Sequence, residues 1–413
     1  MRFFLTILFF ICSFNIFSQV AEKIDHPDTK DENEHIDKIK IALSISLHTD
    51  VIYDAKQMDP AWFAGFRPSK IPIYPGDPGW GTNGKTYFSL QQSTFKFDAY
   101  IPVKHRWDRI RMHVTFDLYG TGMHAGETVP RFRTGWGKWG PFLIGKEWST
   151  FVDIGAFPNS FDWWGPSGMA LMSGPMFRYT NKFNNKHKLE IAIEVPGSDI
   201  DPGQLRQIDP SLINFKTKEV LPDLISRYTY GGKWGYVKGA LLLRQLSYEK
   251  LSEQLGTAEA EHKFGWAFNF TSNFNFFKGN GVLKLQTVFG HGYAGFNNDG
   301  GVEIGPDKDY HAEVLFQNGF VVTYDHTFNR LSTSLTYSET RQKNSEGQMY
   351  SAFHRARYFV GQVIYQVIKN TLLTGFNFQY GMRINKNLDS ASDQRYMFSV
   401  RYLLKWSSQH KNI

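Results

Sequence analysis

The sequence predicts an all-β protein, an antiparallel transmembrane β-barrel of sixteen strands. Three observations predict this fold. Beyond residue 38, apolar and polar residues alternate with a period of two, which is typical of strands with one apolar face. The connections between these segments alternate long and short. Aromatic residues make up 16% of the chain, and paired rings such as Tyr402 and Trp406 fit the aromatic girdles of membrane barrels.

The alternation is clearest in the last segment, where Tyr396, Phe398 and Val400 face one side and Arg395, Ser399 and Arg401 face the other. Most segments reach the roughly 9 to 11 residues that a tilted strand needs to cross a bilayer. In chain order, we expect strands at 39–55, 89–101, 108–120, 131–138, 141–150, 175–183, 188–195, 222–231, 235–249, 263–277, 281–290, 313–326, 331–341, 357–368, 371–383 and 395–406.

Long connections alternate with short turns such as 278–280 and 369–370. Outer-membrane barrels have long external loops, short periplasmic turns and an even number of strands. A soluble β-sandwich explains neither this asymmetry nor sixteen strands that each keep a polar face. The long loops are expected at 56–88, 121–130, 151–174, 196–221, 250–262, 291–312, 342–356 and 384–394.

The ends of the chain differ from the barrel, which we place at 39–406. Residues 1–18 have the charged start and apolar run of a secretory signal peptide, and they contain the single cysteine, Cys12. Residues 19–38 form an acidic periplasmic tail with seven acids against three lysines, and 407–413 form a C-terminal extension. The full chain carries a net charge of +7, so residues 39–413 carry +10 once Arg2 and the acidic tail are left out.

The polar faces of the strands should line the lumen, and cations outnumber acids on them. A barrel of this size leaves an aqueous channel. Excess cations in such a channel attract anions, and guanidinium groups suit carboxylates. Pairing with nearby acids is the alternative for any single arginine. The predicted pore-lining basic residues are Arg109, Arg111, Arg131, Arg133, Arg178, Arg227, Arg244, Arg395 and Arg401, of which the first four lie on two adjacent strands.

Other motifs are weak. Residues 290–295 match a dinucleotide-binding fingerprint, but they join a strand to a loop, whereas the fingerprint must open a helix. The acids Asp299, Glu303, Asp307 and Asp309 lack the spacing of a calcium loop. No local pattern pairs a nucleophile with a base. We therefore expect no enzyme activity, no metal, no cofactor and no nucleic-acid partner.

One block of residues is specific enough to indicate a protein family. Residues 145–153 (GKEWSTFVD), Phe157-Pro158 and 162–166 (DWWGP) resemble the DcaP-like family of trimeric outer-membrane porins. Shorter matches include Arg178-Tyr179-Thr180, Glu194-Val195-Pro196, Pro222-Asp223-Leu224 and Gly290-His291-Gly292. The resemblance extends over most of residues 90–406.

The resemblance implies a sixteen-stranded barrel that forms a homotrimer in a bacterial outer membrane, in contact with its lipid. It also implies that loop 151–174 folds inward and narrows a positively charged pore for small anions such as dicarboxylates. The constriction residues would be Asp153, Phe157, Pro158, Asp162, Trp163, Trp164, Gly165 and Pro166. The expected function is passive diffusion of small, preferably anionic solutes. The alternatives are a barrel hydrolase, or a structural or adhesive barrel with a plugged lumen.

Overall fold

The structure is a computed structural model that describes residues 38–56, 58–81, 83–120, 122–162, 164–196, 215–217, 221–251, 258–308 and 311–408. The predicted signal peptide 1–18 and Trp163 lie outside the described residues. So do the acidic tail, except for Lys38, and residues 409–413 of the predicted extension. Within the described part of the chain, no helix has the length and apolar character needed to span a membrane.

Sixteen strands form one continuous antiparallel wall, and two of them are interrupted. The strands are β1 Lys40–Lys56, β2 Asn83–Ser89 with Thr94–Pro102, β3 Arg109–Tyr119, β4 Thr128–Trp139, β5 Phe142–Trp148, β6 Ser173–Lys182, β7 His187–Glu194, β8 Phe215–Thr217 with Asp223–Gly232, β9 Gly235–Leu251, β10 Ala258–Phe276, β11 Gly281–His291, β12 Phe316–Phe328, β13 Leu331–Gln342, β14 Phe353–Ile368, β15 Leu372–Asn385 and β16 Ser390–Ser407.

The wall closes because β1 pairs with β16 along nearly its whole length, from Ala42 opposite Ser407 to Asp54 opposite Arg395. The other edge of β1 pairs with both parts of β2. Every other strand pairs with its neighbours in chain order. The predicted sixteen-stranded antiparallel barrel is confirmed.

The strand ends differ from the prediction where polar residues continue the sheet. The expected loop 384–394 is shorter, because β15 runs to Asn385 and β16 begins at Ser390. Met382 lies opposite Ser392 and Gln379 opposite Arg395, so backbone pairing continues without apolar alternation. The expected loop 56–88 likewise contains the first part of β2. Backbone hydrogen bonds form without regard to side-chain polarity, which is why the pattern misses these ends.

The outward faces are apolar and exposed, as a barrel in lipid requires. Large side chains at alternate positions stay uncovered on strands around the whole circumference, among them Leu47, Phe97, Phe116, Ile193, Phe268, Phe376 and Leu404. Most of their sequence neighbours point inward and are buried or half-buried. Ring contacts such as Trp266 with Phe268 at 5.8 Å occur on this outer face. Apolar surface that would be a liability in water thus becomes the lipid-facing belt.

Three long connections fold into the barrel from the end that carries the long loops. We name them the first loop (residues 58–81), the inner loop (residues 149–172) and the third loop (residues 292–308 with 311–315). The third loop contains a small hairpin of Ile304–Pro306 with Ala312–Val314. Apolar side chains of the inner loop, such as Phe151 and Val152, pack against inward residues of the wall, such as Ile225 and Leu242.

The inner loop touches the wall most closely at Gly168. Its φ is +75°, and a Cβ there would lie 2.4 Å from the backbone oxygen of Glu339. Gly319 of β12 faces it, and a Cβ at Gly319 would lie 2.6 Å from the oxygen of Gly168. Two glycines are therefore needed for the loop backbone to lie directly against the wall.

Candidate functional site

The inner loop is fastened near its start by a buried carboxylate, Asp153. It accepts hydrogen bonds from Lys238 Nζ at 2.5 Å, Thr271 Oγ1 at 2.7 Å and Tyr236 OH at 2.9 Å. Burial alone would raise the pKa of Asp153, but the Lys238 ammonium and these hydrogen bonds lower it to about 2. Asp153 therefore holds the loop to β9 and β10 as an ionised group.

Side chains of the wall also hold the loop backbone. Asn269 and Asn273 of β10 donate to the carbonyls of Phe151 and Gly155, both at 2.7 Å. Lys284 of β11 donates to the carbonyl of Phe157 at 2.6 Å. A buried carbonyl without a partner is costly, so these donors fix the path of the loop. In the sequence these donors belong to rows of inward Asn, Thr and Lys residues, and the pattern does not indicate which groups they bind.

The far end of the inner loop is fastened by a second buried carboxylate, Asp162. Tyr358 OH donates to its Oδ2 at 2.7 Å, and the backbone N–H groups of Phe66 and Trp164 donate to Oδ1 at 3.5 and 3.4 Å. Here burial outweighs these contacts and raises the pKa of Asp162 to about 6. The two anchors of one loop thus differ in the protonation state that their surroundings favour.

The three loops meet at Asp299. This carboxylate accepts from Arg67 Nε at 3.3 Å, from Ser69 N at 3.1 Å and from Ser167 Oγ at 2.9 Å. The Arg67 guanidinium lies over the rings of Trp62 and Trp164, 4.2 and 4.5 Å from their centroids. Asp299, one of the acids considered for calcium, is therefore occupied by an ion pair. In the described residues no group of His, Cys, Asp and Glu is arranged to hold a metal ion.

The predicted constriction residues fall into two groups. Phe157 and Pro158 are half-buried and lie in the stretch 155–160 that is the least covered part of the loop. The others are buried anchors or lie in the junction of the loops: Asp153, Asp162, Trp164, Gly165 and Pro166. Trp163 lies outside the described residues. Within 155–160, Gly155 is exposed, Ala156 is buried, and residues 157–160, which include Asn159 and Ser160, are half-buried.

The four arginines of β3 and β4 do not form one cluster. Arg131 donates to both oxygens of Asp117, at 2.9 and 2.6 Å, and Arg133 reaches the same carboxylate at 3.1 Å. Arg111 lies on β3, six residues before Asp117, and binds Asp98 at 2.7 Å. Arg109 contacts its neighbour Asp108 at 3.2 Å, near the turn end. The register therefore divides the arginines into two pairs at different depths.

Most of the remaining predicted arginines also pair with acids, chiefly acids of the wall. Arg227 binds Glu190 at 2.8 Å and Arg395 binds Asp54 at 2.6 Å. Arg244 binds Asp223 at 3.3 Å and also Glu303 of the third loop. Two differ. Arg178 is buried beside Glu147, Glu190 and Glu194, and Arg401 lies over the Phe161 ring at 5.0 Å from its centroid.

The inward face of β2 to β7 is less covered than the rest of the wall. Arg131, Arg133 and Lys188 keep 23%, 17% and 25% of their side-chain surface exposed. On the opposite side, inward residues such as Thr323, Tyr358 and Asn377 are fully buried. We call β2–β7 the open wall and β8–β16 the covered wall. Inward cations of the open wall are Lys96, Arg109, Arg111, Arg131, Arg133, Lys138, Arg178, Lys182 and Lys188, against the acids Asp98, Asp117, Glu147, Glu190 and Glu194.

On the open wall, the inward side chains of Asp98, His113 and Thr115 form a line that the sequence did not reveal. His113 Nδ1 lies 2.9 Å from Asp98 Oδ1, and its Nε2 lies 2.8 Å from Thr115 Oγ1. Arg111 shares the Asp98 carboxylate, and the His113 ring stacks on Trp136 at 5.1 Å. Asp98 lies on β2, and the other two residues lie on β3. The carboxylate, imidazole and hydroxyl come into line only through strand pairing.

Known structures share this architecture. The outer membrane channel DcaP of Acinetobacter baumannii superposes with a TM-score of 0.73 over 89% of this chain and 98% of that chain, at 16% identity. The fold is that of an outer-membrane porin. The porin fold predicted from residues 145–166 is thus confirmed by the solved DcaP channel.

Two further porin-fold structures match at lower similarity. An anion-selective porin from Comamonas acidovorans gives a TM-score of 0.57 at 9% identity, over 89% of this chain and 100% of that chain. OmpT of Vibrio cholerae, an outer membrane protein in trimer form, gives 0.52 at 11% identity over the same shares of the two chains. No family model and no curated protein matches the sequence.

Proposed function

We propose that this chain is an outer-membrane porin that lets small solutes diffuse passively and prefers anions. The observation that carries the proposal is the excess of cations over acids on the open wall, several of them partly exposed, opposite the anchored inner loop. The passage would run between the open wall and residues 155–160. The covered wall, with its buried inward residues, would support the loop without lining the passage.

The position of the inner loop supports a narrowed passage. Its anchors lie on β9, β10, β11 and β14, so the loop is fixed to the covered wall from both ends. Lys238 and Lys284 are each the fourth residue of their strand from the turn end. The loop therefore extends deep into the barrel, where a small change in its path alters the free cross-section.

The arginines of the open wall support the preference for anions. Arg131 and Arg133 both bind the carboxylate of Asp117, and each keeps part of its positively charged side chain exposed. In a confined channel, such a charge attracts anions and repels cations. Guanidinium groups bind carboxylates through paired hydrogen bonds, which fits small carboxylates and dicarboxylates as the solute class.

The similar proteins support the same proposal. One of them is an anion-selective porin and another is a channel. A third was solved as a trimer, and we propose a homotrimer for this chain as well. The resemblance of the 145–166 block to DcaP-like porins adds dicarboxylates as the solute class.

Planar-bilayer recording tests the proposal. Purified protein should give step-like conductance, and under a potassium chloride gradient the reversal potential should have the sign of a chloride preference. A cation preference would contradict the selectivity. Absence of conductance from correctly folded protein, with the resistance of its folded form to detergent as the folding control, would contradict the channel.

A second candidate function is hydrolysis of a small ester inside the lumen, favoured by the order of Asp98, His113 and Thr115. A carboxylate that orients an imidazole toward a hydroxyl is the arrangement of a nucleophilic triad. Turnover of a small carboxylic ester that is lost in both His113→Gln and Thr115→Val would support this candidate. Equal turnover by either variant and the unmodified protein would contradict it.

A further inference from the structure

Three arginines meet on the outer surface of the barrel. Arg341 of β13 and Arg355 and Arg357 of β14 lie near the end of their strands that carries the long loops. They share the outward face with Leu335 and Tyr337, whereas Ser338 and Thr340 between them point inward and are buried. We name these three arginines together with Glu339 the rim cluster.

Register places the rim cluster directly above an aromatic pair. Tyr337 lies opposite Phe359, Glu339 opposite Arg357, and Arg341 opposite Arg355. With about 3.4 Å per residue along a strand tilted by about 40°, Arg341 lies roughly 10 Å above Tyr337 along the membrane normal. Aromatic girdles mark the boundary of the apolar band. The rim cluster is thus at the level of the lipid headgroups on the loop side, which is the external leaflet.

The rim cluster has more positive than negative charge. Glu339 binds Arg357 at 2.9 Å and reaches Arg355 at 3.6 Å. Arg341 is exposed and forms no ion pair with any described residue. Three guanidinium groups against one carboxylate leave two positive charges at this site. In the described strands, no other outward face brings two arginines together.

We propose that the rim cluster binds the phosphate group of a lipid headgroup in the external leaflet. Guanidinium groups pair with phosphate oxygens through parallel, charge-assisted hydrogen bonds. Basic clusters beside a membrane recognise anionic headgroups in this way. The apolar face below the cluster, with Leu335 and Val363 exposed, would contact the acyl chains of the same lipid. This contact favours a lipid over free phosphate as the occupant.

Native mass spectrometry of the full-length protein in detergent tests the proposal. The probe is a phosphorylated glucosamine-disaccharide lipid, titrated beside its dephosphorylated form and beside inorganic phosphate. The variant combines Arg341→Gln, Arg355→Gln and Arg357→Gln. We expect it to bind the phosphorylated lipid at least roughly tenfold more weakly, about the loss that one charge-assisted hydrogen bond brings.

The control is Arg330→Gln, which matches the single Arg341→Gln change by removing one positive charge at the opposite, turn end of the barrel, where the Arg330 guanidinium donates to the carbonyl of Val367 at 3.5 Å. It should bind the lipid as the unmodified protein does. If the triple variant fails to fold, Arg341→Gln alone still tests the site, because this side chain has no ion pair in the described structure. Equal binding by the variant and the control would overturn the proposal. So would equal binding of the dephosphorylated lipid, or of inorganic phosphate alone.

Discussion

Inward lysines and arginines have different partners on the two sides of the lumen. On the covered wall, charged groups bind the inner loop: Lys238 pairs with Asp153, and Lys284 donates to the carbonyl of Phe157. On the open wall, Arg131 and Arg133 pair with an acid of the wall itself and stay partly exposed. Inward lysines and arginines therefore hold the loop on one side of the lumen and pair within the wall on the other.

The comparison also applies to the two carboxylate anchors of the inner loop. Asp153 has an ammonium within 2.5 Å and a lowered pKa, whereas Asp162 has a phenol and backbone N–H groups as its direct partners and a raised pKa. A buried carboxylate stays ionised when a cation is in direct contact with it. The two ends of the loop should therefore respond to acid in opposite directions.

The largest effect is expected from Lys238→Met. It leaves Asp153 as a buried carboxylate without its cation, and breaking such a pair costs about 3–5 kcal/mol. We expect the inner loop to leave the covered wall and the single-channel conductance to rise. Lys182→Met is the matched control, because it removes the same charge from an exposed position on the open wall. Equal conductance in the two variants would show that this ion pair does not hold the loop.

A pH effect follows from Asp162. Its pKa is about 6 in the folded protein and 3.8 in an ordinary aspartate, so the folded form takes up a proton first as the pH falls. Between about pH 6 and pH 4 the anchored loop should gain stability, up to about 3 kcal/mol. Current fluctuations in single-channel recordings should become rarer from pH 7 to pH 5.

Asp162→Asn provides the control for this pH effect, because it keeps the shape and removes the titration. Its fluctuations should be the same at both pH values. The contribution of Asp153 has the opposite sign: it is fully present above about pH 4 and is lost as the pH falls toward 2. Fluctuations that increase from pH 7 to pH 5 would contradict the assignment of Asp162 as the titrating anchor.

A smaller effect is expected on the open wall. Arg131→Gln with Arg133→Gln should lower the anion preference, and Asp117→Asn should raise it, because that change removes the acid the two arginines share. One charge at such a site changes the ratio of anion to cation permeability roughly two- to threefold in screened aqueous surroundings. Reversal potentials in a salt gradient measure both changes. Arg109→Gln, near the turn end, is the control and should have less effect; shifts of the same size in all variants would contradict a localised filter.

The smallest effect is expected within the covered wall. Ser338 is fully buried on β13, and its hydroxyl has no hydrogen-bond partner among the described residues. Ser338→Ala should leave stability within about 1 kcal/mol or raise it slightly, since no bond is lost. The unfolding midpoint in urea measures this change. Thr336→Val, which removes the 2.9 Å contact with Thr323, is the control and should be the more destabilising of the two.

The local pattern of apolar and polar residues was sufficient to predict the strands and to predict which side chains point outward or inward. The period of two placed Phe376 and Phe398 outward and Arg395 inward, and the structure agrees. It was insufficient at Ser390 to Gln394, where a polar strand continues without apolar alternation. The 145–166 block identified the inner loop, but it could not separate the buried anchors from the half-buried residues 157–160.

The sequence by itself determined the barrel: strand number, facing and the contrast of long loops with short turns follow from residues close together in the chain. Only the tertiary structure decided the charges that a solute would meet. Asp153 meets Lys238, 85 positions away in the chain, and Arg395 meets Asp54, 341 positions away. Such pairs depend on the register of distant strands and on the path of a loop, and a period of two contains information on neither.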